Sequence, residues 1–263
     1  MNILDKIIFN KRIEVSNQKA RVSIKTLESS LAFIKNTKSL SNCILNSSTG
    51  IIAEHKRRSP SKDIINNSLL IEDVVKGYSD NNASGISILT DEKYFGGSLN
   101  DLNIAYNFST LPILRKEFII DEYQIIEAKA NGADAVLLIA SVLTFKKIKE
   151  LTNLSLSLNL EVLLEVHNLK ELQDSLYHKV KLIGINNRNL KTFTCSLQTS
   201  KDLVNHIPDD FVKISESGLS DPNSVKELIK HGFNGFLIGE TFMKTSNPGL
   251  ECSNFIKAVL NET

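Results

Sequence analysis

The sequence predicts an α/β protein built as a (β/α)8 TIM barrel with an N-terminal helical extension. Eight short apolar runs recur between residues 51 and 238, and a segment of helical character follows each run. Alternation of short strands with helices is typical of a parallel sheet. The length of 263 residues suits one such barrel, which usually takes about 250.

The first 45 residues are predicted to form the helical extension. Two apolar stripes at helical spacing run through it: Ile3, Leu4, Ile7 and Ile8, and then Ile24, Leu27, Leu31 and Ile34. We expect this extension to pack outside or beneath the barrel. After a polar connector the barrel occupies residues 51–263, and because no linker or low-complexity tract interrupts the sequence, residues 1–263 are predicted to be a single domain.

The barrel elements follow in order. The predicted strands are the apolar runs at 51–53, 85–89, 111–114, 135–139, 162–166, 182–185, 211–214 and 235–238. The predicted helices cover about 71–78, 99–108, 121–130, 142–158, 169–178, 197–206, 222–231 and 254–260. The third repeat shows the pattern most completely, because its helix has Asp121 as N-cap and Asn131-Gly132 as its stop. A Rossmann-like sheet is the alternative, and the lack of GxGxxG after the first strand counts against it.

Composition limits the class of partner. Lys+Arg 31 against Asp+Glu 30 gives a net charge of +1, so no global field attracts nucleic acid or a membrane, and any anion site must be local. The three cysteines are too far apart for a disulfide framework or a metal site, and neither a secretory signal nor a membrane-spanning run is present. These features predict a cytoplasmic protein that binds a small molecule without a metal.

Charged residues stand where several predicted strands end. Glu54 and Lys56 are two residues apart and so point to the same side of their strand. Lys116 lies just after the third apolar run and is the leading candidate for the chemistry. Glu165 and His167 end the fifth run, and His167 is expected to be a loop or supporting residue. A carboxylate inside an apolar strand costs several kcal/mol unless a cation offsets it. Because strand ends meet at the mouth of a barrel, these residues predict a site there.

The last two loops suggest a phosphate site. Ser217-Gly218 follows the seventh strand and Gly239 follows the eighth. In this class of barrel, these loops often cradle a phosphate with backbone N–H groups and the start of a short helix, and glycine permits the close approach. The Glu240 side chain would repel a phosphate, so we expect only its N–H to lie near the ligand.

Seven motifs, in order from about residue 51 to 243, closely resemble those of the indole-3-glycerol-phosphate synthase family. They are IIAEHKRRSPSK, ISILTDEKYFGGSL, PILRKEFIIDEYQIIEAKANGADAVLLI, EVLLEVH, IGINNRNLKTF, SESGL and FLIGETFM. The resemblance implies a barrel enzyme of tryptophan biosynthesis that needs no cofactor. Such enzymes convert 1-(2-carboxyphenylamino)-1-deoxyribulose 5-phosphate to indole-3-glycerol phosphate, CO2 and water. Other enzymes of the same pathway stay an open possibility as partners.

The resemblance also implies roles for individual residues. The family's general acid falls on Lys116 and its general base on Glu165. The remaining catalytic positions are Glu54, Lys56 and Asn186. The substrate-binding positions are Ser59, Phe95, Arg188, Glu216 and Ser217, and the phosphate-binding positions are Lys56, Gly218, Gly239 and Glu240. Two residues depart from the family pattern. His55 should point away from the site, and Asp63 replaces the glycine of the SPSKG pattern, which affects loop mobility.

Three rival functions remain open at this point. A phosphoribosylanthranilate isomerase would share the phosphate loops but lack the set formed by Glu54, Lys56, Lys116 and Glu165. A Schiff-base aldolase would use one lysine as a covalent nucleophile, which borohydride trapping would reveal. A barrel that only binds phosphorylated ligands would not need so many charged strand ends.

Overall fold

The computed structural model describes residues 3–190 and 192–260, and within them eight parallel strands form a closed barrel in sequence order. The strands are β1 (Ile51–His55), β2 (Gly85–Leu89), β3 (Ile113–Lys116), β4 (Ala135–Ile139), β5 (Glu161–Val166), β6 (Leu182–Asn186), β7 (Val212–Glu216) and β8 (Gly235–Ile238). Strand β8 pairs with β1 and closes the ring. The predicted fold class is therefore confirmed.

Fourteen α-helices are assigned among the described residues. Four precede the barrel: α1 (Ile3–Arg21), α2 (Ile24–Glu28), α3 (Leu31–Ile34) and α4 (Leu40–Leu45). The others are α5 (Ile71–Asp80), α6 (Glu92–Phe95), α7 (Leu99–Phe108), α8 (Glu122–Ala130), α9 (Phe145–Ser157), α10 (Leu169–Ser175), α11 (Gln198–Leu203), α12 (Pro222–Lys230), α13 (Glu240–Met243) and α14 (Pro248–Leu260). A 3₁₀ turn, Val204–His206, follows α11. None of these helices has both the length and the apolar character required to span a membrane.

Alternation along the strands separates two apolar layers. In β5, Val162, Leu164 and Val166 belong to the layer between the strands and the helices, whereas Leu163 belongs to the layer inside the barrel. Successive side chains of a strand point to opposite faces, which explains the division. Glu165 therefore shares the inward side with Leu163, as the sequence predicts.

The third repeat differs slightly from its prediction. Strand β3 runs from Ile113 to Lys116, whereas the prediction was 111–114, so Arg115 and Lys116 belong to the strand and not to the loop after it. Pro112 has no N–H to donate to a neighbouring strand, and its carbonyl oxygen instead accepts a bond from the Ile86 N–H at 3.0 Å. The predicted N-cap of α8 is confirmed, because the Asp121 side chain accepts a bond from the Tyr123 N–H.

The extension surrounds the barrel differently from the prediction. Helices α2 and α3 contact α8 on the outside. Leu40 and Ile44 of α4 are fully buried against the first residues of β2 and β8, and so they close the amino-terminal end. The expected location outside or beneath the barrel is confirmed for these three helices. It is wrong for α1, which lies over the opposite, carboxyl-terminal end.

The second predicted stripe does not form one buried helical face. Ser30 begins a new helix, because its side chain accepts a bond from the Phe33 N–H. Leu31 and Ile34 are 79% and 74% exposed, whereas Leu27 is buried against α8 residues. Serine competes with the helix for backbone hydrogen bonds and favours the N-cap, so the regular spacing is interrupted there.

A buried lysine fixes α1 over the barrel. The Lys11 side chain is 1% exposed, and its Nζ lies 3.0 Å from Asp91, 3.0 Å from Glu117 and 2.9 Å from Glu14. Burial alone would lower the pKa of Lys11, but attraction by Glu117, Asp91 and Glu14 outweighs it and raises the pKa above its ordinary value. The ammonium therefore stays charged.

We predict that Lys11→Met lowers the free energy of unfolding by about 3–5 kcal/mol, because Asp91 and Glu117 lose their buried cation. Equilibrium urea unfolding measures this change. Lys6→Met, at an exposed position of the same helix, is the matched control and should change stability by no more than about 0.5 kcal/mol. Equal stability of the two variants would contradict the anchoring role of Lys11.

Candidate active site

A cavity of about 340 Å³ lies at the carboxyl-terminal ends of the strands. The thirteen residues that the sequence analysis assigns to the site all line it: Glu54, Lys56, Ser59, Phe95, Lys116, Glu165, Asn186, Arg188, Glu216, Ser217, Gly218, Gly239 and Glu240. His55 does not line it and is buried elsewhere. Residues spread over most of the barrel sequence thus converge on one hollow.

The first strand supplies an ion pair. The Nζ of Lys56 lies 2.7 Å from Glu54 Oε1, and the Ser87 hydroxyl donates to Glu54 Oε2 at 3.3 Å. Burial raises the pKa of Glu54, but Lys56 and Lys116 more than offset this and hold it below the ordinary value. Gly239 lies against this carboxylate, because a Cβ there would approach Glu54 Oε1 to 2.6 Å.

Lys116 lies between two carboxylates. Its Nζ is 3.0 Å from Glu216 Oε2 and 3.3 Å from Glu165 Oε2. Burial alone would lower the pKa of Lys116, but Glu216, Glu165 and Glu54 raise it well above the ordinary value. Lys116 is therefore a charged ammonium with protons to donate, and three strands bring this cluster together.

The two carboxylates around Lys116 differ in charge state. Burial raises the pKa of Glu165, yet attraction by Lys116 and the contact with His167 lower it well below the ordinary value. For Glu216, burial together with repulsion by Glu165 and Glu54 outweighs the attraction by Lys116, and the pKa rises to about 7. Glu165 is the ionised partner, whereas Glu216 takes up a proton as the pH falls through neutral.

Strand β6 adds an amide and a guanidinium at its end. The Asn186 side chain contributes to lowering the pKa of Glu165 and accepts a bond from the Arg188 N–H at 3.0 Å. The Arg188 guanidinium donates to the Phe193 carbonyl at 3.1 Å. Asn187, by contrast, turns away and donates to Ser215 and Ser217. The two neighbouring asparagines therefore have different roles, one lining the cavity and the other supporting the loop after β7.

The loops after β7 and β8 form a further part of the cavity wall. Ser217 and Gly218 have φ angles of 69° and 78°, in the left-handed region that a serine rarely adopts. Such local strain is common at functional sites. The Thr241 hydroxyl donates to the Leu219 carbonyl at 3.0 Å and joins the two loops.

The side chain of Glu240 also lines this wall. Its carboxylate forms ion pairs with Lys62 and, at 2.7 Å, with Lys244. Burial raises the pKa of Glu240, but the two lysines lower it to about 2. The carboxylate is charged and its charge is offset by two cations, a geometry that the sequence analysis did not foresee.

Several lining residues were missed from sequence. Ile3, Leu4 and Ile7 of α1 line the cavity, and Phe118 lies beside Phe95 with ring centroids 6.0 Å apart. The apolar spacing of α1 indicates a buried face, but this spacing alone does not distinguish packing against the barrel exterior from lining the cavity. Phe118 lies two residues after the end of β3 and is half-buried, and an aromatic residue at such a strand end is a further sign of a ring-binding site.

The fold and this cluster define a barrel enzyme equipped for acid–base chemistry. A family model described as indole-3-glycerol phosphate synthase matches residues 4–255. An indole-3-glycerol phosphate synthase from Bacteroides thetaiotaomicron is 50% identical over 258 residues, covering 98% of this chain and 99% of the relative. Another from Burkholderia lata is 40% identical over 253 residues, covering 95% and 97%.

The chain belongs to the indole-3-glycerol phosphate synthase family. The activity of this family is that of a decarboxylating lyase in tryptophan biosynthesis. Solved structures with low identity show the fold alone. A mutant tryptophan synthase alpha-subunit from Pyrococcus furiosus has a TM-score of 0.62 at 15% identity, covering 82% of this chain and 99% of that chain. A native KDPGal structure has a TM-score of 0.59 at 13% identity, covering 82% and 97%.

Proposed function

We propose that this chain converts 1-(2-carboxyphenylamino)-1-deoxy-D-ribulose 5-phosphate to indole-3-glycerol phosphate, CO2 and water, with Lys116 as general acid and Glu165 as general base. The observation that carries the proposal is the Lys116 ammonium, 3.3 Å from Glu165 in a cavity that also contains the loops after β7 and β8. Family membership supports the reaction, whose substrate is a small phosphorylated molecule.

The reaction requires both an acid and a base. An aromatic carbon, the one that carries the carboxylate, attacks the ketone carbon while Lys116 donates a proton to the ketone oxygen. Loss of CO2 then restores aromaticity. Dehydration delivers a second proton to that oxygen, which leaves as water, while Glu165 removes one proton from the substrate. Two protons are delivered and one is removed, so each turnover takes up one proton from solvent. Each acid or base step is worth about 10²–10⁴ in rate.

The charge states of the cluster suit these roles. A lysine acts as acid while charged, and a glutamate acts as base while ionised. Their proximity favours both charged forms, because opposite charges within a few ångströms stabilise each other. The Glu54–Lys56 pair and Asn186 lie beside them, and Lys56 offers a second ammonium to the substrate carboxylate.

An apolar half of the cavity suits the anthranilate ring. Phe95 and Phe118 lie with ring centroids 6.0 Å apart, and Ile3, Leu4 and Ile7 of α1 line the same cavity. Such apolar walls around a few polar groups are typical of small-molecule sites. We infer that Ser59 and Phe95 contact the ring end of the substrate.

The loops after β7 and β8 suit the phosphate. We infer that the N–H groups of Ser217, Gly218, Gly239 and Glu240 bind it, supported by Arg188. Backbone N–H groups presented by a concave loop bind anions well, and the ion pairs of Glu240 with Lys62 and Lys244 reduce the repulsion from its carboxylate.

The rival functions fit this site less well. A Schiff-base aldolase needs a neutral lysine amine, whereas Lys116 is held charged between Glu165 and Glu216.

We also infer a cytoplasmic location, because all three cysteines are free, as expected in a reducing compartment.

The proposed activity is tested by adding the anthranilate-derived ribulose phosphate to purified protein and following indole fluorescence. We expect turnover with stoichiometric CO2 release and no requirement for an added cofactor. Borohydride added with substrate should leave the enzyme active, since no covalent intermediate forms on lysine. Absence of indole product, or trapping of a lysine adduct, would reject the proposal.

A further inference from the structure

His167 lies between two carboxylates at the end of β5. Its Nε2 is 3.3 Å from Glu165 Oε1, and its Nδ1 is 3.0 Å from Glu171 Oε2. The His167 backbone N–H also donates to Glu171 at 2.9 Å, and Asn168 donates to the other oxygen of Glu171 at 2.7 Å. The imidazole side chain is 9% exposed. Both ring nitrogens thus face negative groups, and an imidazolium is the form that satisfies both.

The contact with Glu165 is an ion pair and not an aligned hydrogen bond. Among the described residues His167 Nε2 has no hydrogen-bond partner, although Glu165 Oε1 is within ion-pair distance. Burial lowers the pKa of His167, but the contacts with Glu165 and Glu171 raise it to about 10. The ring is therefore cationic throughout the neutral range.

Among the described residues, Glu165 and Glu216 lie beside only one shared ammonium, so a further cation determines which of the two is ionised. Glu54 has Lys56 as its own partner, at 2.7 Å. Lys116 is shared between Glu165 and Glu216, and one ammonium does not neutralise two buried carboxylates. Like charges that share a site favour one protonated and one ionised member. Lys116 lies 3.0 Å from Glu216 and 3.3 Å from Glu165, so its charge does not by itself favour Glu165 as the ionised member.

We propose that His167, held as an imidazolium by Glu171, is the positioning residue that directs the proton shared by the two carboxylates to Glu216 and keeps Glu165 ionised as the base. His167 contacts Glu165 and has no ion pair with Glu216 among the described residues. The proton does not leave the pair. It resides on Glu216, because Lys116 is shared and the second cation, His167, contacts Glu165. This inference rests on the proposed function, in which Glu165 removes a proton from substrate.

The charged groups that face Glu165 from other elements do not make this selection. Lys116 of β3 and Asn186 of β6 favour its ionised form, and Glu216 of β7 opposes it. Glu54 of β1 acts on Glu216 and Lys116 and is itself compensated by Lys56. Lys116 contacts Glu216 at 3.0 Å and Glu165 at 3.3 Å, so without His167 the shorter pair would favour Glu216 as the ionised member.

The test compares kcat of His167→Asn and wild type at pH 6 and pH 9. At pH 9 both carboxylates are ionised, and the ratio of variant to wild-type kcat should be close to its maximum. At pH 6 the shared proton moves to Glu165 in the variant, and the ratio should fall about tenfold, as expected one unit below a titration near pH 7.

His167→Lys restores a cation and should remove the pH dependence of the ratio. His206→Asn, at an exposed site, is the control. An equal ratio at both pH values in His167→Asn would overturn the proposal.

A second measurement does not depend on activity. Nitrogen-15 NMR of labelled histidine should show both ring nitrogens of His167 protonated up to pH 8 in wild type. Glu171→Gln should lower the midpoint of this titration by about 1–3 units, because one neighbouring negative charge is lost. Asp174→Asn, on the same helix, should leave it unchanged. A neutral His167 ring at pH 7 would overturn the inference even if wild-type turnover is normal, whereas absence of wild-type turnover would reject the proposed function itself.

Discussion

Lys116→Ala should reduce turnover by about 10⁴-fold or more, to the background of the indole fluorescence assay. The variant loses the proton donor for the ketone oxygen, worth about 10²–10⁴. It also loses the positive charge that stabilises the oxyanion as the new bond forms, and removing one such group commonly costs about 10²–10³. The fold should persist, because Glu216 takes up a proton and water enters the open cavity beside Glu165.

Two further variants separate the possible roles of this lysine. Lys116→Arg keeps the charge between Glu165 and Glu216, but a guanidinium does not release a proton, so this variant should also have very low kcat. Lys146→Ala, on an exposed face of α9, is the matched control and should retain wild-type activity. Near-normal kcat in Lys116→Arg would assign Lys116 an electrostatic role alone. Near-normal kcat in Lys116→Ala would remove it from the mechanism.

Much of the site could be predicted because strand geometry is local. Glu54 and Lys56 alternate with His55, and the period of two residues suffices to bring the two charges to one side, where they lie 2.7 Å apart. The order of eight strands then brings their ends together without any knowledge of the loops. The same reasoning predicted that His55 points away, and it does not line the cavity.

The position of α1 could not be predicted, because it depends on long-range pairing. Its apolar stripe indicates which face of the helix is buried, but it does not indicate which part of the barrel covers that face. The position of α1 is fixed by Lys11, whose side chain forms ion pairs with Asp91 and Glu117 just after β2 and β3. Nothing near Lys11 in the sequence indicates these partners. The contacts of His167, in contrast, had a local signal in the sequence. His167 is two residues from Glu165 and four from Glu171, and both spacings permit a contact.

Glu165→Gln should lower kcat by about 10²–10⁴ while binding of inorganic phosphate stays nearly unchanged. Glutamine keeps the shape of the side chain but does not accept a proton from the substrate. The loops that are proposed to bind phosphate, around Gly218 and Gly239, follow β7 and β8, whereas Glu165 lies on β5, so these loops should keep their structure. Single-turnover kinetics and calorimetric titration with inorganic phosphate measure the two effects separately.

Glu216 provides the sharpest comparison for this base. Its carboxylate lies 3.0 Å from the Lys116 Nζ, and that of Glu165 lies 3.3 Å from it. If the mechanism required only a negative charge beside the lysine, Glu165→Gln and Glu216→Gln would therefore lower kcat equally. Because the pKa of Glu216 is raised to about 7 and that of Glu165 is lowered, only Glu165 is fully ionised at pH 7. We therefore expect Glu165→Gln to be the more severe change by at least about tenfold. Unchanged kcat in Glu165→Gln, or a larger loss in Glu216→Gln, would transfer the role of base to Glu216.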